Sequence, residues 1–457
     1  MKQLILLLVP MFLSNAQNLT PHQQLARDLF KELIEINTTE KVGCTKAAEA
    51  MAARLKGAGF PAEDVVLVGP APQHMNLVVR YRGSGKNKPI LFIGHLDVVE
   101  ALKQDWSFDP FTFLEKDGFF YGRGTTDMKN EDADLVANFI RLKQEGFVPD
   151  RDLILALTED EENGDANGVD YLVREHRDLI DAEFCINMDA GGGNEKDGKP
   201  VSMGIQTSEK IYITYQFEVK NKGGHSSLPV KDNAIYHLAG ALTRLSNYEF
   251  PIRLNETTRT YFQRSAQGQT GQMRSDMLAV ANDPTDMAAA NRLAASSAYY
   301  NALMRTTCVA TMLTAGHAEN ALPQTATAIV NCRMLPGQSP DSVLATLRSI
   351  VADPQVEVTC PYVSAQAPLS PLRKDVMSDL EELTDTMWPG VKVIPTMSTG
   401  ATDGKYLRLA GIHVYGVSGM FGDVDDVRAH GRDERIGVKE FYKGVEFMYR
   451  FIKLLAS

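Results

Sequence analysis

The chain has 457 residues, enough for two or three domains of about 150 residues each. Hydrophobic residues make up 44% and charged residues 23%, the balance of a globular protein that builds its own core. With 47 Lys and Arg against 58 Asp and Glu, the net charge is −11. That argues against a binder of nucleic-acid phosphates, and no apolar run in the body of the chain is long enough to span a membrane.

Lys2 precedes an apolar stretch from Leu4 to Leu13, and Ser14-Asn15-Ala16-Gln17 follows. This pattern predicts a secretory signal over residues 1–16, and with it a periplasmic or secreted protein; a short buried helix is the alternative. Beyond it, residues 26–34 and 47–55 have helical spacing, while 75–81, 89–93, 153–157 and 184–188 read as strands. Residues 134–145 read as a crossover helix between two of those strands. Such alternation predicts an α/β domain with a mixed, mostly parallel sheet. From 211 to 219 the pattern becomes period-two, residues 233–245 and 339–351 are helical, and 325–332 alternates again. Residues 251–307 are polar, Ala-rich and predicted helical, and 438–455 forms an amphipathic C-terminal helix. The simplest organisation is a catalytic domain in two parts, residues 17–208 and 368–457, interrupted by an α+β insertion over 209–367.

The five cysteines, Cys44, Cys185, Cys308, Cys332 and Cys360, are widely spaced and contain no C-x-x-C pair. One disulfide, with Cys308 and Cys332 as the candidate pair, stands beside the alternative that all five are buried thiols.

Five short motifs carry the chemistry. Gly94-His95-Leu96-Asp97, Glu159-Asp160-Glu161-Glu162 and Asn187-Met188-Asp189 end a predicted strand or closely follow one, and the segment Tyr121 to Lys129 contains Asp127. The fifth, Ala429-His430-Gly431-Arg432-Asp433-Glu434, lies far downstream, past a predicted strand at 412–416. Singly, each has a bland reading: a structural His–Asp pair, a solvated acidic loop, a surface histidine. Together and in this order they outweigh those readings. Ligands of open α/β sheets gather at the carboxyl ends of strands, and converging carboxylates and imidazoles there suit zinc-type metals. Gly416-Val417-Ser418-Gly419-Met420 lacks the last glycine of a nucleophile elbow, and Gly83-Ser84-Gly85-Lys86 lacks phosphate-loop spacing. Gly191-Gly192-Gly193 reads as a loop, and Arg432 and Arg435 as either solvated charges or substrate contacts.

On these motifs the chain resembles the co-catalytic dizinc hydrolases of the aminoacylase, acetylornithine deacetylase, succinyl-diaminopimelate desuccinylase and glutamate carboxypeptidase group. The Gly223 to Pro229 sequence and the long insertion are most similar to the carboxypeptidase S branch. The resemblance implies two divalent metal ions, Zn²⁺ foremost with Co²⁺ or Mn²⁺ as alternatives. It makes His95, Asp127, Glu162, Asp189 and His430 the ligands, with Asp127 bridging. It makes Glu161 the general base and Asp97 the support of the site. His225, Asn320 and Arg333 would meet substrate from the insertion, His225 from a partner subunit of a homodimer. Two Zn²⁺ bring four positive charges, which the three ligand carboxylates and one hydroxide balance.

The implied activity is cleavage of an amide bond in a small peptide or N-acyl amino acid. A dedicated N-acyl-amino-acid deacylase is one alternative; a non-catalytic binding module on the same fold is another. Asn130 stands where many members have Gly, Asn331 where they have Asp, and Asp433 where they have Asn. Asp at 189 resembles aminopeptidase and dipeptidase members, where carboxypeptidases carry Glu, and leaves substrate direction open. The division of labour between adjacent glutamates is testable. Glu161→Gln should keep its metals and lose about 10²–10⁴-fold in turnover, whereas Glu162→Gln should mainly weaken one metal. Metal content and kcat measured on both variants check it, and equal metal loss contradicts it.

Overall fold

The computed structural model describes residues 19–163, 166–363 and 365–457, so the predicted signal at 1–16 lies outside them. Among the described residues, no helix is long and apolar enough to cross a membrane.

A ten-stranded sheet organises the larger part of the chain. At its centre the strands Leu153–Thr158, Ile90–His95, Phe184–Asn187 and His413–Gly416 run parallel in that spatial order. Every residue of the first three is buried, as continuous apolar runs require when helices cover both faces. Alternate side chains divide between two cores. Ile90 and Phe92 join Leu29, Phe30, Leu135, Phe139, Phe447 and Phe451, from helices Pro21–Glu35, Lys129–Gln144 and Val438–Leu455. Leu91 and Ile93 join Val169, Leu172 and Leu407, from the shorter helices Gly168–Glu175 and Gly404–Leu409. The mixed, mostly parallel α/β sheet expected from the alternation is therefore present. The predicted helix at 134–145 begins earlier, at Lys129, because the Asp127 loop feeds directly into it.

A separate four-stranded antiparallel sheet has the order Thr307–Ala315, Thr325–Met334, Ile211–Lys220, Val356–Tyr362. Helices Ala234–Ser246 and Pro340–Val351 cover one face, with Leu238, Ala241, Val343 and Leu347 packed on Ile213, Tyr215, Phe217 and Val330. The edge strand Thr307–Ala315 leaves Val309, Met312 and Leu313 60–65% exposed. The helical stretch after residue 251 resolves into Glu256–Ser265, Gly271–Asn282, Met287–Ser296 and Ala298–Met304. Its core, including Phe262, Met277 and Leu293, closes on Met397 of strand Lys392–Ser398 in the large sheet, away from the small sheet's exposed edge.

Cys308 and Cys332 are register partners on neighbouring strands and are joined by a disulfide, while Cys44, Cys185 and Cys360 are free. The bond closes 24 residues of chain, for which the loss of unfolded-state entropy is worth about 3 kcal/mol. A Cys308→Ser/Cys332→Ser variant should lose that much in denaturant-unfolding free energy, and reductant should do the same to the unmutated protein only.

Candidate metal centre

Three adjacent parallel strands deliver most of the site from their carboxyl ends. His95 closes Ile90–His95, Glu161 and Glu162 follow Leu153–Thr158 in a turn, and Asp189 follows Phe184–Asn187. Asp127 sits in the loop before helix Lys129–Gln144, and His430 comes from a loop after strand Phe421–Asp423. Gly94 is needed beside His95, because a Cβ there would stand 2.4 Å from the Asp132 carboxylate.

These side chains form two sets of potential ligands that share one residue: His95, Asp127 and Asp189 in one, Asp127, Glu162 and His430 in the other. His95 Nε2 lies 3.1 Å from Asp127 Oδ1 and 3.6 Å from Asp189 Oδ1. His430 Nε2 lies 3.0 Å from the other Asp127 oxygen, Oδ2, and 3.0 Å from Glu162 Oε1. Each oxygen of Asp127 thus faces a different imidazole. His95 is buried and His430 half-exposed, so one set lies deep and the other toward solvent.

The surrounding groups aim these donors. His95 Nδ1–H donates to the Asp97 carbonyl at 3.0 Å, which turns Nε2 toward the ligand set. The buried Asp97 carboxylate accepts the backbone N–H groups of Glu161 at 3.1 Å and Glu162 at 3.0 Å. Asp97 therefore braces the histidine and the paired glutamates together.

Electrostatics describe a site built for cations. Burial pushes the Glu161 carboxyl up to about 10, with the Asp189 charge adding to it. Burial also pushes Glu162 up to about 7 and raises Asp189. Hydrogen bonding to Asp127 lifts His430 to about 9. For Asp127 itself burial is outweighed by the two histidines, which hold it below the usual carboxylate range. Neither a Lys nor an Arg forms an ion pair with Asp127, Glu161, Glu162 or Asp189 among the described residues. An all-oxygen-and-imidazole donor set with excess buried negative charge fits a pair of divalent cations, and the absence of thiolates suits hard to borderline metals.

Three supporting residues, Glu434, Arg123 and Asp403, were not singled out from the sequence. Glu434, fully buried, accepts from Arg123 Nη1 (2.6 Å), the N–H groups of Gly124 (3.2 Å), Thr126 (2.7 Å) and Asp127 (3.2 Å), and the Thr126 hydroxyl (2.9 Å). It clamps the loop that presents Asp127, and Arg123 also donates to the His430 carbonyl at 3.4 Å. Both residues lie inside motifs already noted, but only their burial distinguishes them from solvated charges. Asp403 accepts from Asn167 Nδ2 (2.6 Å) and Thr158 Oγ1 (3.2 Å), and burial pushes it up to about 7. No motif signals it. Arg432 is exposed and bonds Ser107 and Asp433, whereas Arg435 pairs with Asp426 and Tyr121.

His225, Asn320 and Arg333 belong to neither set of potential ligands. His225 pairs in register with Ala321 in a two-stranded ribbon, and the Asn320 carbonyl accepts from Ser226 N–H at 3.0 Å. Arg333 lies on strand Thr325–Met334 with its guanidinium 4.8 Å from the Tyr212 ring centroid. No hydrogen bond or ion pair joins these three to the ligand sets among the described residues. His225 Nδ1 accepts the Ser227 N–H at 3.2 Å, which leaves its proton on Nε2.

Residues 91–454 match peptidase family M20/M25/M40. The chain belongs to this family. It is 29% identical over 391 residues to the N-fatty-acyl-amino acid synthase/hydrolase of Bos taurus, covering 80% of this chain and 74% of that one. It is equally 29% identical to a probable carboxypeptidase S-like protein of Dictyostelium discoideum, over 83% of this chain and 74% of the relative. Among solved structures, an M20 family metallo-carboxypeptidase of Sulfolobus solfataricus superposes with a TM-score of 0.67 at 18% identity, over 94% of this chain and 98% of that one. The family consists of hydrolases of amide bonds, and the protein is a metallopeptidase or amidohydrolase of that kind.

Glu434→Gln should leave every ligand side chain in place yet turn an amide N–H₂ toward the backbone donors around Asp127. Metal affinity measured by chelator competition should fall about 10–100-fold. An unchanged affinity would mean the clamp has no bearing on the centre.

Proposed function

We propose that the protein is an exported, dizinc-dependent hydrolase that cleaves one amide bond in a small peptide or N-acyl amino acid. The sharing of Asp127 between two ligand sets supports this reading most directly. His95, Asp127 and Asp189 would hold one ion, Asp127, Glu162 and His430 the other; Zn²⁺ suits both sets, with Co²⁺ or Mn²⁺ as alternatives. When bound, such a pair supplies Lewis acidity toward a carbonyl and acidifies water. Glu161 takes the proton of the attacking water and delivers it to the leaving nitrogen. Its carboxylate has no hydrogen-bond partner among the described residues, and its backbone is anchored through Asp97. His225 carries its proton on Nε2, the tautomer that donates to an oxyanion. Asn320 and Arg333 would complete the substrate's contacts from the same insertion.

Export rests on the 1–16 pattern of charge, apolar run and small residues. The reading extends to a homodimer. His225 is exposed and has no link to the ligand sets of its own chain, and the edge strand Thr307–Ala315 offers Val309, Met312 and Leu313 to a second copy. We assign 209–367 the role of this lid and dimerisation unit.

Removing metals with a strong chelator should abolish hydrolysis of N-blocked amino acids and dipeptides, and two equivalents of Zn²⁺ per chain should restore it. Full activity in metal-free protein would end the dizinc reading. Mixing His225→Ala with Glu161→Gln subunits tests the partner role. Half of the randomised dimers then hold one intact site, so about a quarter of wild-type activity should return. No recovery after verified exchange would place His225 in its own chain's site.

A further inference from the structure

The chain passes from the large sheet to the small one through a single residue, Lys210, between strands Lys199–Glu209 and Ile211–Lys220. Lys210 is 1% exposed and its neighbour Glu209 5%. Their side chains go to opposite partners. Glu209 pairs with Arg408 and accepts the Thr402 N–H at 2.5 Å. Thr402 Oγ1 accepts from Asn187 Nδ2 at 3.2 Å, and Asn187 Oδ1 accepts the N–H of Asp189, a potential ligand, at 3.1 Å. The Lys210 backbone N–H donates to the Ser398 carbonyl at 2.9 Å. The crossing is thus tied to the part of the large sheet that carries the ligand sets.

Lys210 Nζ reaches the other way. It donates to the Arg305 carbonyl at 2.8 Å and to Thr307 Oγ1 at 3.3 Å, at the start of the edge strand Thr307–Ala315. Strand Thr325–Met334 lies between that strand and Ile211–Lys220, so the side chain spans the end of the strand that carries Arg333. Thr307 and Arg333 are register partners, and such partners present their side chains on one face. On its other flank Arg333 is the register partner of Tyr212, two residues beyond Lys210, and its guanidinium lies over the Tyr212 ring. Lys210 therefore holds both neighbours of Arg333, one through its side chain and one through its backbone.

The ammonium is costly where it stands. Both of its acceptors are neutral oxygens, and burial, with the Arg333 charge adding to it, pulls it down to about 7. An apolar side chain of the same length would fill the space without burying a charge. What the ammonium adds is direction, because its hydrogen bonds fix the edge strand to the crossing.

We propose that Lys210 is a positioning residue that holds Arg333 at a set place relative to the metal centre. The proposal rests on the amide-hydrolase reading above, in which Arg333 contacts substrate. Lys210→Met keeps the length of the side chain and removes its donors. Assayed on an N-acyl amino acid or dipeptide, it should keep the metal content of the unmutated protein and raise KM about tenfold, with kcat within about threefold. Thr307→Val removes an acceptor without touching Lys210 and should also raise KM; it carries the test if Lys210→Met does not fold. Because Lys210 acts through Arg333, adding either change to Arg333→Ala should cost little beyond Arg333→Ala alone. An unchanged KM in the folded variants, a change that follows metal loss, or losses that multiply with that of Arg333→Ala, overturns the proposal. If the unmutated protein hydrolyses no such substrate, the amide-hydrolase reading fails, and hydrogen exchange tests the brace by itself. Exchange over residues 305–309 should then be faster in Lys210→Met than in the unmutated protein, and equal exchange overturns the brace.

Discussion

The carboxylate of Asp127, held between two imidazoles, is the contact on which the site depends. Its oxygens stand 3.1 Å from His95 and 3.0 Å from His430, residues 335 positions apart in the chain. Bringing them together requires the parallel sheet to deliver His95 from one strand end and a C-terminal loop to return across the same edge. A carboxylate so placed is too desolvated to remain charged without partners, and the histidines alone do not balance Asp189, Glu161 and Glu162 as well. The imbalance is what makes the site a cation receptor rather than a structural ion-pair cluster.

The chain manages this concentration of charge with fixed backbone donors. Asp97 accepts two N–H groups from the glutamate turn, and Glu434 accepts three from the Asp127 loop. Hydrogen bonds to ionised acceptors are about twice as strong as neutral ones, so each clamp holds a loop without a second covering layer of core. The consequence is functional. Loops at a strand edge are ordinarily the mobile part of an α/β fold, yet here the two that carry Asp127, Glu161 and Glu162 are pinned by buried acids. The positions of these potential ligands are thereby fixed by the chain's own backbone donors.

The smaller sheet is governed by a different constraint. It buries one face under its own helices and leaves its edge strand apolar and open, while the ribbon with His225 stays in solvent. The four helices after residue 251 do not cover that edge, because their apolar core is used against Met397 of the large sheet. The small sheet thus retains a free edge and its ribbon an exposed histidine, while a cavity opens beside the potential ligand sets at the edge of the large sheet.

The sequence by itself determined the elements and the chemical inventory. Continuous apolar runs at 90–95, 153–158 and 184–187 mark strands buried on both faces, and the motifs that follow them are local, so His95, Glu161, Glu162 and Asp189 were legible as strand-end residues. The C-terminal helix at 438–455 was legible for the same reason, its 3.6-residue periodicity being a local property. Strands Val356–Tyr362 and Lys392–Ser398 were not, because their partners lie far away in the chain and their burial comes from pairing rather than pattern. Only the tertiary structure decided that Glu434 and Arg123 are buried clamps, that Asp403 lies beneath the site, and that Asn130 and Glu131 line a cavity. A charged residue looks the same in sequence whether water or protein surrounds it. What distinguishes the two is the desolvation and the hydrogen bonds contributed by segments hundreds of residues away.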